Sequence, residues 1–320
     1  MVTGANGFVG KALTLELLKR KSPVTALIFP GTTSKDIGDA QIEALPIRNS
    51  PRFRELLNQQ DVIVNLAGNL LGANPRRYIQ ANIETVNELA KALQELESPP
   101  RLIHISSNAA IGPSSNEKSL TEKATRHPVG LYGTSKKNGE NVLLKSNWKF
   151  PYVILRPPSI YGPEDKCFLD LFKWAEKGIF LKLGTRYKHF QLLFRQDFIQ
   201  ILLKIIEKDS SEKILHVGDP KIFTDTDLSN ELGAAAGKKL VPFYFPPSFV
   251  KLAGRVSALI DAGFDIPLLL SPSKSREMNC RFWVQDFGLF EEVYGKFNFT
   301  TLNDGVTKTR EWYKQKRWIK

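Results

Sequence analysis

The sequence predicts an α/β protein: a doubly wound parallel sheet with a smaller, mostly helical C-terminal cap. Three observations predict it. Apolar strand-like segments alternate with helical runs across the first half of the chain, the rhythm of βαβ units. A glycine-rich turn lies between the first strand and the first helix. After about Gly218 the rhythm gives way to helical pieces separated by Pro and Gly clusters.

Each element follows in order. A short apolar opening ends at Thr3, and a helical run extends from about Val9 to Lys19. Val24–Phe29 reads as a buried strand, Ile42–Ile47 as a weaker one, and Phe53–Leu57 as a helix. Asp61–Leu66 is a strand, and Ile79 to Leu96 a long amphipathic helix stopped by Ser98-Pro99-Pro100. Leu102–Ser106 is a strand, Tyr132–Lys145 a helix, and Tyr152–Leu155 a strand closed by Pro157-Pro158. Phe168–Lys177 and Phe198–Lys208 read as helices, and Lys213–Val217 as a late strand that rejoins the first sheet. The sheet domain is therefore discontinuous, residues 1–160 and about 190–217, with the cap at about 161–189 and 218–320. Alternation of this kind places helices on both faces of a parallel sheet.

Composition narrows the class. Hydrophobic residues make up 42% and charged residues 24% of the 320 residues, which excludes disordered and fibrous chains. The longest apolar stretches, Ile201–Ile206 and Ile266–Leu270, are too short to span a bilayer. The chain opens without the basic and apolar blocks of a signal peptide. A cytoplasmic protein with no membrane partner is expected. Cys167 and Cys280 belong to no Cys-x-x-Cys pair and the four histidines are isolated, so neither a disulfide scaffold nor a metal site is expected. The formal net charge of +12 fits either a nucleic-acid footprint or attraction of a small anionic ligand.

Three motifs carry chemistry. Gly4-Ala5-Asn6-Gly7-Phe8-Val9-Gly10 is a Gly-x-x-Gly-x-x-Gly turn. Its glycines let the backbone approach a pyrophosphate, and the helix N-terminus offers free N–H groups. Tyr132 and Lys136 stand at i, i+4 on one helix face. A nearby cation favours phenolate, which would make Tyr132 a usable general acid/base. Ser107 follows a strand at its carboxyl end, where open α/β sheets bind ligands.

In this order the motifs resemble the extended short-chain dehydrogenase/reductase superfamily, in particular its NAD(P)-dependent epimerase/dehydratase branch. Asn65–Gly68 (NLAG), Asn82, Thr121-Glu122, Glu140, Leu155–Pro163 (LRPPSIYGP), His216–Pro220 (HVGDP) and the terminal TLNDGVTKTREWY extend the likeness almost end to end. The resemblance implies a Rossmann-type sheet and NAD or NADP as cofactor. It implies that Tyr132 is the catalytic acid/base, that Lys136 lowers its pKa and holds the nicotinamide ribose, and that Ser107 hydrogen-bonds the reacting oxygen. Gly4, Asn6, Gly7, Phe8, Val9 and Gly10 would bind the cofactor at its pyrophosphate, and Leu66, Ala67 and Gly68 would line its adenosine side. Asn82 would support the catalytic helix. The loop after Arg156, with Pro158, would meet the nicotinamide amide.

The sequence also departs from this pattern. Only Met1, Val2 and Thr3 precede Gly4, so the opening strand reads as clipped and the chain as several residues short there. Phe29-Pro30-Gly31 offers no acid for a ribose hydroxyl and no Arg for a 2′-phosphate, with Lys35 the nearest phosphate candidate. The acid usual after the third strand is replaced by Ile47-Arg48-Asn49. Both replacements lean towards NADP without deciding between the two cofactors. Asn108 and Ala109 stand where sugar 4,6-dehydratases carry an Asp-Glu pair, which argues against dehydration. Arg186, Lys188 and Arg195 are the candidate partners for the phosphates of a nucleotide.

The expected activity is hydride transfer at a secondary carbinol of a small-molecule substrate, with a nucleotide sugar the leading class. The alternative is a hydroxysteroid- or dihydroflavonol-type dehydrogenase on an apolar alcohol or ketone. Phe243-Tyr244-Phe245 and Phe249 are expected to pack in the core, their other reading being the lining of an apolar pocket. A non-catalytic cofactor-binding scaffold or redox sensor is the alternative of another class, disfavoured because Tyr132 and Lys136 are both retained. A homodimer is among the expected assemblies. Nucleic acid is not the expected partner: Trp312, Tyr313 and Trp318 interleave with basic residues near the C-terminus, but an amphipathic helix with its aromatics packed on the cap explains that pattern.

Overall fold

The apolar runs of the first half fold as β1 (Val2–Thr3), α1 (Phe8–Lys19), β2 (Thr25–Ile28), β3 (Gln41–Ala44), α2 (Pro51–Asn58) and β4 (Val62–Asn65). Next come α3 (Pro75–Ile79), α4 (Thr85–Gln94), β5 (Arg101–Ile105), α5 (Leu131–Leu144) and β6 (Tyr152–Arg156). The chain continues through β7 (Ser159–Tyr161), α6 (Leu169–Glu176), β8 (Ile179–Leu183), β9 (His189–Phe190), β10 (Leu192–Phe194), α7 (Arg195–Glu207) and β11 (Ile214–His216). This is a computed structural model that describes residues 1–33, 36–264 and 270–320. Lys35, Pro267 and most of the apolar stretch Ile266–Leu270 lie outside the described residues.

Seven strands form one parallel sheet in the order β11-β6-β5-β4-β1-β2-β3. The order reverses between β1 and β4, which makes the topological switch point of a Rossmann-type fold, where ligands bind beyond the strand carboxyl ends. Side chains alternate between two buried layers. Ile103, Val153 and Leu215 pack with Leu13 of α1 and Phe198 and Leu202 of α7. Ile63, Leu102 and Ile154 face the other way, onto Phe53 of α2, Leu89 and Leu93 of α4, and Leu143 of α5. β1 is only two residues long, yet Val2 and Thr3 are in register with β2 on one side and β4 on the other.

One helix expected to be regular is not. Between α3 and α4 the segment Gln80–Glu84 forms a wide π turn. Asn82, inside it, is buried and bonded to the Asn69 backbone, accepting from its N–H at 2.9 Å and donating to its carbonyl at 2.8 Å.

The C-terminal part comprises β12 (Phe223–Thr224), α8 (Asp225–Ala236), β13 (Val241–Phe245), α9 (Pro247–Phe264), α10 (Pro272–Met278), β14 (Phe282–Trp283), α11 (Gly288–Tyr294) and α12 (Leu302–Gln315). It is less purely helical than expected. β13 pairs in parallel with β8, and β9 lies between β12 and β14. Pro242 is tolerated in β13 because a two-stranded ribbon is all edge. The core expectation for Phe243, Tyr244 and Phe249 is overturned: they are 49%, 41% and 49% exposed, because β13 has a strand on one side only and no layer over these rings. The terminal aromatics do pack. Tyr313 is fully buried, its ring 5.1 Å from Phe172 and 5.7 Å from Trp318, while Lys308 and Lys314 are exposed.

Candidate active site

The glycine turn links β1 to α1, and its shape depends on missing side chains. Gly4 has φ +63°, a left-handed conformation that glycine adopts without strain. A methyl group on Gly10 would collide with the Gly4 carbonyl oxygen, so helix and turn approach as closely as backbones can. Gly7 caps α1 with no side-chain hydrogen bond, and no acid stands in the first turn. The N–H groups of Phe8 and Val9 therefore open a helix end suited to an anion. Asn6 is engaged elsewhere: its Nδ2 donates to Thr32 Oγ1 at 2.9 Å and to the Thr33 carbonyl at 3.2 Å.

A second segment closes on this turn from β4. A methyl group on Gly4 would stand 3.1 Å from atoms of Leu66 and Ala67. Thr3 Oγ1 donates to Asn65 Oδ1 at 2.6 Å and accepts from the Ala67 N–H at 3.2 Å. Asn65 in turn meets the His104 ring at 3.1 Å. Burial, with Lys136 as a lesser cause, holds that imidazole near a pKa of about 3, so His104 is a neutral spacer between strand ends.

The third segment is α5. Ser107 follows β5, is buried, and accepts from the Ala109 N–H at 3.1 Å. Ser107 lies near enough to Tyr132 to act on its phenol. Burial pushes the phenol up to about 12, Ser107 opposes that rise, and the Glu277 carboxylate adds to it. Lys136, expected to draw Tyr132 towards phenolate, makes its own hydrogen bond with the backbone of β5. Its ammonium donates to the Ile105 carbonyl at 2.9 Å, and burial lowers its own pKa to about 8, partly offset by Glu140. Gly68 approaches the same ammonium: a methyl group there would lie 3.1 Å from Lys136 Nζ and 2.9 Å from Asn82 Oδ1. Asn82 Nδ2 donates to Ser135 Oγ at 2.8 Å, and Ser135 Oγ to the Tyr132 carbonyl at 2.7 Å.

α5 is held by a buried ionic cluster. Glu140 accepts from Arg156 Nε at 2.8 Å and Nη2 at 2.7 Å, from Arg126 Nη1 at 2.9 Å and from Ser106 Oγ at 2.6 Å. A paired, hydrogen-bonded carboxylate of this kind fixes the register of helix on sheet. Pro158, beyond β6, is buried beside Gly218.

Asn82 is thus linked through Ser135 to the Tyr132 carbonyl, Gly68 lies close to Lys136 and Asn82, Ser107 acts on Tyr132, and Gly4 lies close to Leu66 and Ala67. Asn6 bonds Thr32 and Thr33 instead, and Pro158 packs on Gly218. Three features had no sequence signal. Leu131 N–H donates to Ser273 Oγ at 2.6 Å, so α10 packs against the start of α5. Glu277 of α10 acts on Tyr132 electrostatically. Glu164 accepts from Lys11 at 2.7 Å and from Arg195 at 3.0 Å, and Arg195 also donates to the Phe8 carbonyl at 3.4 Å. Arg195 therefore braces the glycine turn, and a substrate phosphate would have to compete with Glu164 for it.

The side-chain-free cradle at Gly4, Gly7 and Gly10, with an uncapped helix end, fits a dinucleotide. Fold and site together define an enzyme of the extended short-chain dehydrogenase/reductase type. The chain belongs to the NAD-dependent epimerase/dehydratase family, whose profile matches residues 1–218. It is 24% identical to a ceramide reductase of Caulobacter vibrioides over 99% of this chain and 95% of that protein. Its fold matches gox2253 with a TM-score of 0.81 at 20% identity, covering 100% of this chain and 98% of the other. It also matches a Bacillus cereus UDP-glucuronic acid 4-epimerase, solved with UDP-glucuronic acid and NAD, with a TM-score of 0.78 at 21% identity and 98% coverage of both chains. At these identities the two structures establish the fold.

Proposed function

We propose that this protein interconverts a ketone and a secondary alcohol, with Tyr132 moving the proton and NAD(P) as redox partner. The observation that carries this reading is the gathering of Ser107, Tyr132 and Lys136 at the carboxyl end of β5, with the Lys136 ammonium on the Ile105 carbonyl and Ser107 acting on the Tyr132 phenol. When bound, the nicotinamide dinucleotide supplies or accepts the hydride. Gly4, Gly7 and Gly10 would admit its pyrophosphate to the N–H groups of Phe8 and Val9, and Leu66, Ala67 and Gly68 would border it from β4. Ser107 Oγ orients the substrate oxygen, and Tyr132 Oη, protonated at neutral pH, donates to that oxygen in the direction of reduction. Lys136 would hold the ribose of the bound cofactor and keep positive charge near the phenol. Asn82 fixes α5 through Ser135. The loop after β6, with Pro158, would meet the nicotinamide amide. Tyr132→Phe should remove turnover and leave the cofactor-induced rise in melting temperature; unchanged turnover would overturn the assignment.

The substrate class best supported is an apolar ketone or alcohol. Of the three candidate cations for nucleotide phosphates, Arg195 is paired with Glu164 and Lys188 donates to the Leu183 carbonyl at 2.6 Å, leaving only the exposed Arg186, over the Tyr244 ring at 5.7 Å. The end-to-end match to a ceramide reductase points the same way. A nucleotide sugar is the second reading, favoured by the net charge of +12. Thermal shift with NAD, NADP, UDP-sugars and long-chain ketones separates the two, because only a ligand of the folded state raises the melting temperature.

A further inference from the structure

Helix α9 is amphipathic the wrong way round for a protein surface. The residues it buries are Val250, Gly254, Ser257 and Asp261, mostly small or polar. The residues it exposes are Phe249, Leu252, Val256, Leu259 and Ile260, with Leu252 at 59% and Leu259 at 74%. At 100° per residue these five fall within an arc of about 100°. A surface helix of a globular protein normally turns such a stripe inward, and a contiguous exposed apolar patch marks an interaction site.

The inward face explains this inversion. α9 sits on α10, where Ser275 Oγ donates to the Val250 carbonyl at 2.9 Å and a methyl group on Gly254 would collide with Ser275 Oγ. Asp261 accepts from the Ala73 N–H at 2.5 Å. Small residues therefore let α9 lie close on the molecule, and its large apolar side chains are left outside. The stripe continues onto β13 through the Phe245 and Phe249 rings, 4.8 Å apart, towards exposed Phe243 and Val241.

Charge identifies the occupant. Lys251 and Arg255 are exposed beside the stripe, and Lys239 and Arg186 are exposed around β13. The one acid of α9, Asp261, is buried and turned to Ala73. A convex apolar strip flanked by cations is the form of a helix lying in the interface of an anionic membrane, not that of a groove for a peptide. We propose that α9 and β13 dock this protein onto an anionic lipid bilayer, from which it draws a lipid-borne ketone or alcohol. The substrate part rests on the hydride-transfer reading above. The expectation of no membrane partner rested on spanning segments, and no helix among the described residues is long and apolar enough to cross a membrane; an interfacial helix does not need to.

The location suits delivery. α10 ties α9 to the start of the Tyr132 helix through Ser273 and Leu131. Asp261 ties it to the loop at Ala73, and that loop begins at Asn69, which is bonded to Asn82. Docking would bring the two segments bordering the catalytic tyrosine to the lipid surface.

Vesicle co-sedimentation tests the proposal. The wild-type protein should bind phosphatidylcholine vesicles containing phosphatidylglycerol and bind pure phosphatidylcholine vesicles far less. Leu252→Glu/Leu259→Glu should lower partitioning about tenfold or more, and Lys251→Glu/Arg255→Glu should remove the preference for anionic lipid. Both variants alter exposed side chains, so turnover of a water-soluble short-chain ketone should be unchanged, which shows that they fold. Absence of wild-type binding to either vesicle would overturn the proposal. So would a wild-type dimer in light scattering that becomes monomeric in Leu252→Glu/Leu259→Glu, which would give the face to a second copy. Tyr132→Phe should bind vesicles normally, so a failure of the hydride-transfer reading is separable from a failure to dock.

Discussion

The Lys136 ammonium is tied to the carbonyl of Ile105, at 2.9 Å, and not to the ring of Tyr132 four residues earlier. Spacing on a helix brings two side chains to one face, but burial decides what each does there. With its pKa lowered to about 8, Lys136 binds fewer protons in the folded chain than in the unfolded one between pH 8 and its ordinary value of 10.5. Its charge therefore opposes folding fully below about pH 8, and that penalty fades as pH rises through the window. Lys136→Met should raise stability at pH 7 by on the order of 3 kcal/mol and abolish turnover, as read by denaturant unfolding and by activity.

The raised phenol of Tyr132 gives the two reaction directions different pH profiles. Reduction needs the protonated form, which burial and Glu277 favour; oxidation needs phenolate. Oxidation should accelerate with pH between about 7 and 10, while reduction at saturating cofactor stays nearly flat until Lys136 loses its proton. Initial rates in both directions across this range check the assignment, and parallel profiles would contradict it.

Gly68 leaves room for two polar groups at once. Gly68→Ala should push Asn82 Oδ1 and Lys136 Nζ off their present positions. Cofactor affinity should fall about tenfold or more, for a loss of about 1.4 kcal/mol, with far-UV circular dichroism unchanged. Cofactor titration by fluorescence reads it.

Glu140 satisfies Arg156, Arg126 and Ser106 together. Glu140→Ala leaves a buried guanidinium without its counter-ion, and stability should drop by about 3–5 kcal/mol. Urea unfolding measures this, and a loss under about 1 kcal/mol would show that water or His216 replaces the carboxylate.

Legibility from sequence followed the range of the interactions. The glycine turn, Ser107 and the Tyr132–Lys136 pair were readable because a few adjacent residues define each of them. The strands β5 and β6 were readable because a strand buried on both faces carries a near-continuous apolar run, Leu102–Ile103 and Val153–Leu155 here. β13 was not, since Pro242 and the exposed rings of Phe243 and Tyr244 satisfy only a partner strand far upstream, Ile179–Leu183. Glu164 carried no signal because its cations, Lys11 and Arg195, come from two distant helices. α9 shows apolar periodicity in sequence, but periodicity does not say which side is turned outward.

The wide turn at Gln80–Glu84 has a consequence for inheritance of the site. One residue more than an α-turn holds shifts the angular phase of everything after it by about 100°. α3 and α4 therefore run as one rod with two phases, and Asn82 sits where they change. Shortening that turn by a single residue would leave every side chain of α4 chemically the same and rotate its apolar stripe of Leu89 and Leu93 off the sheet, unless Asn82 surrendered Ser135. The placement of α5 and the packing of α4 are thus coupled through the length of one turn.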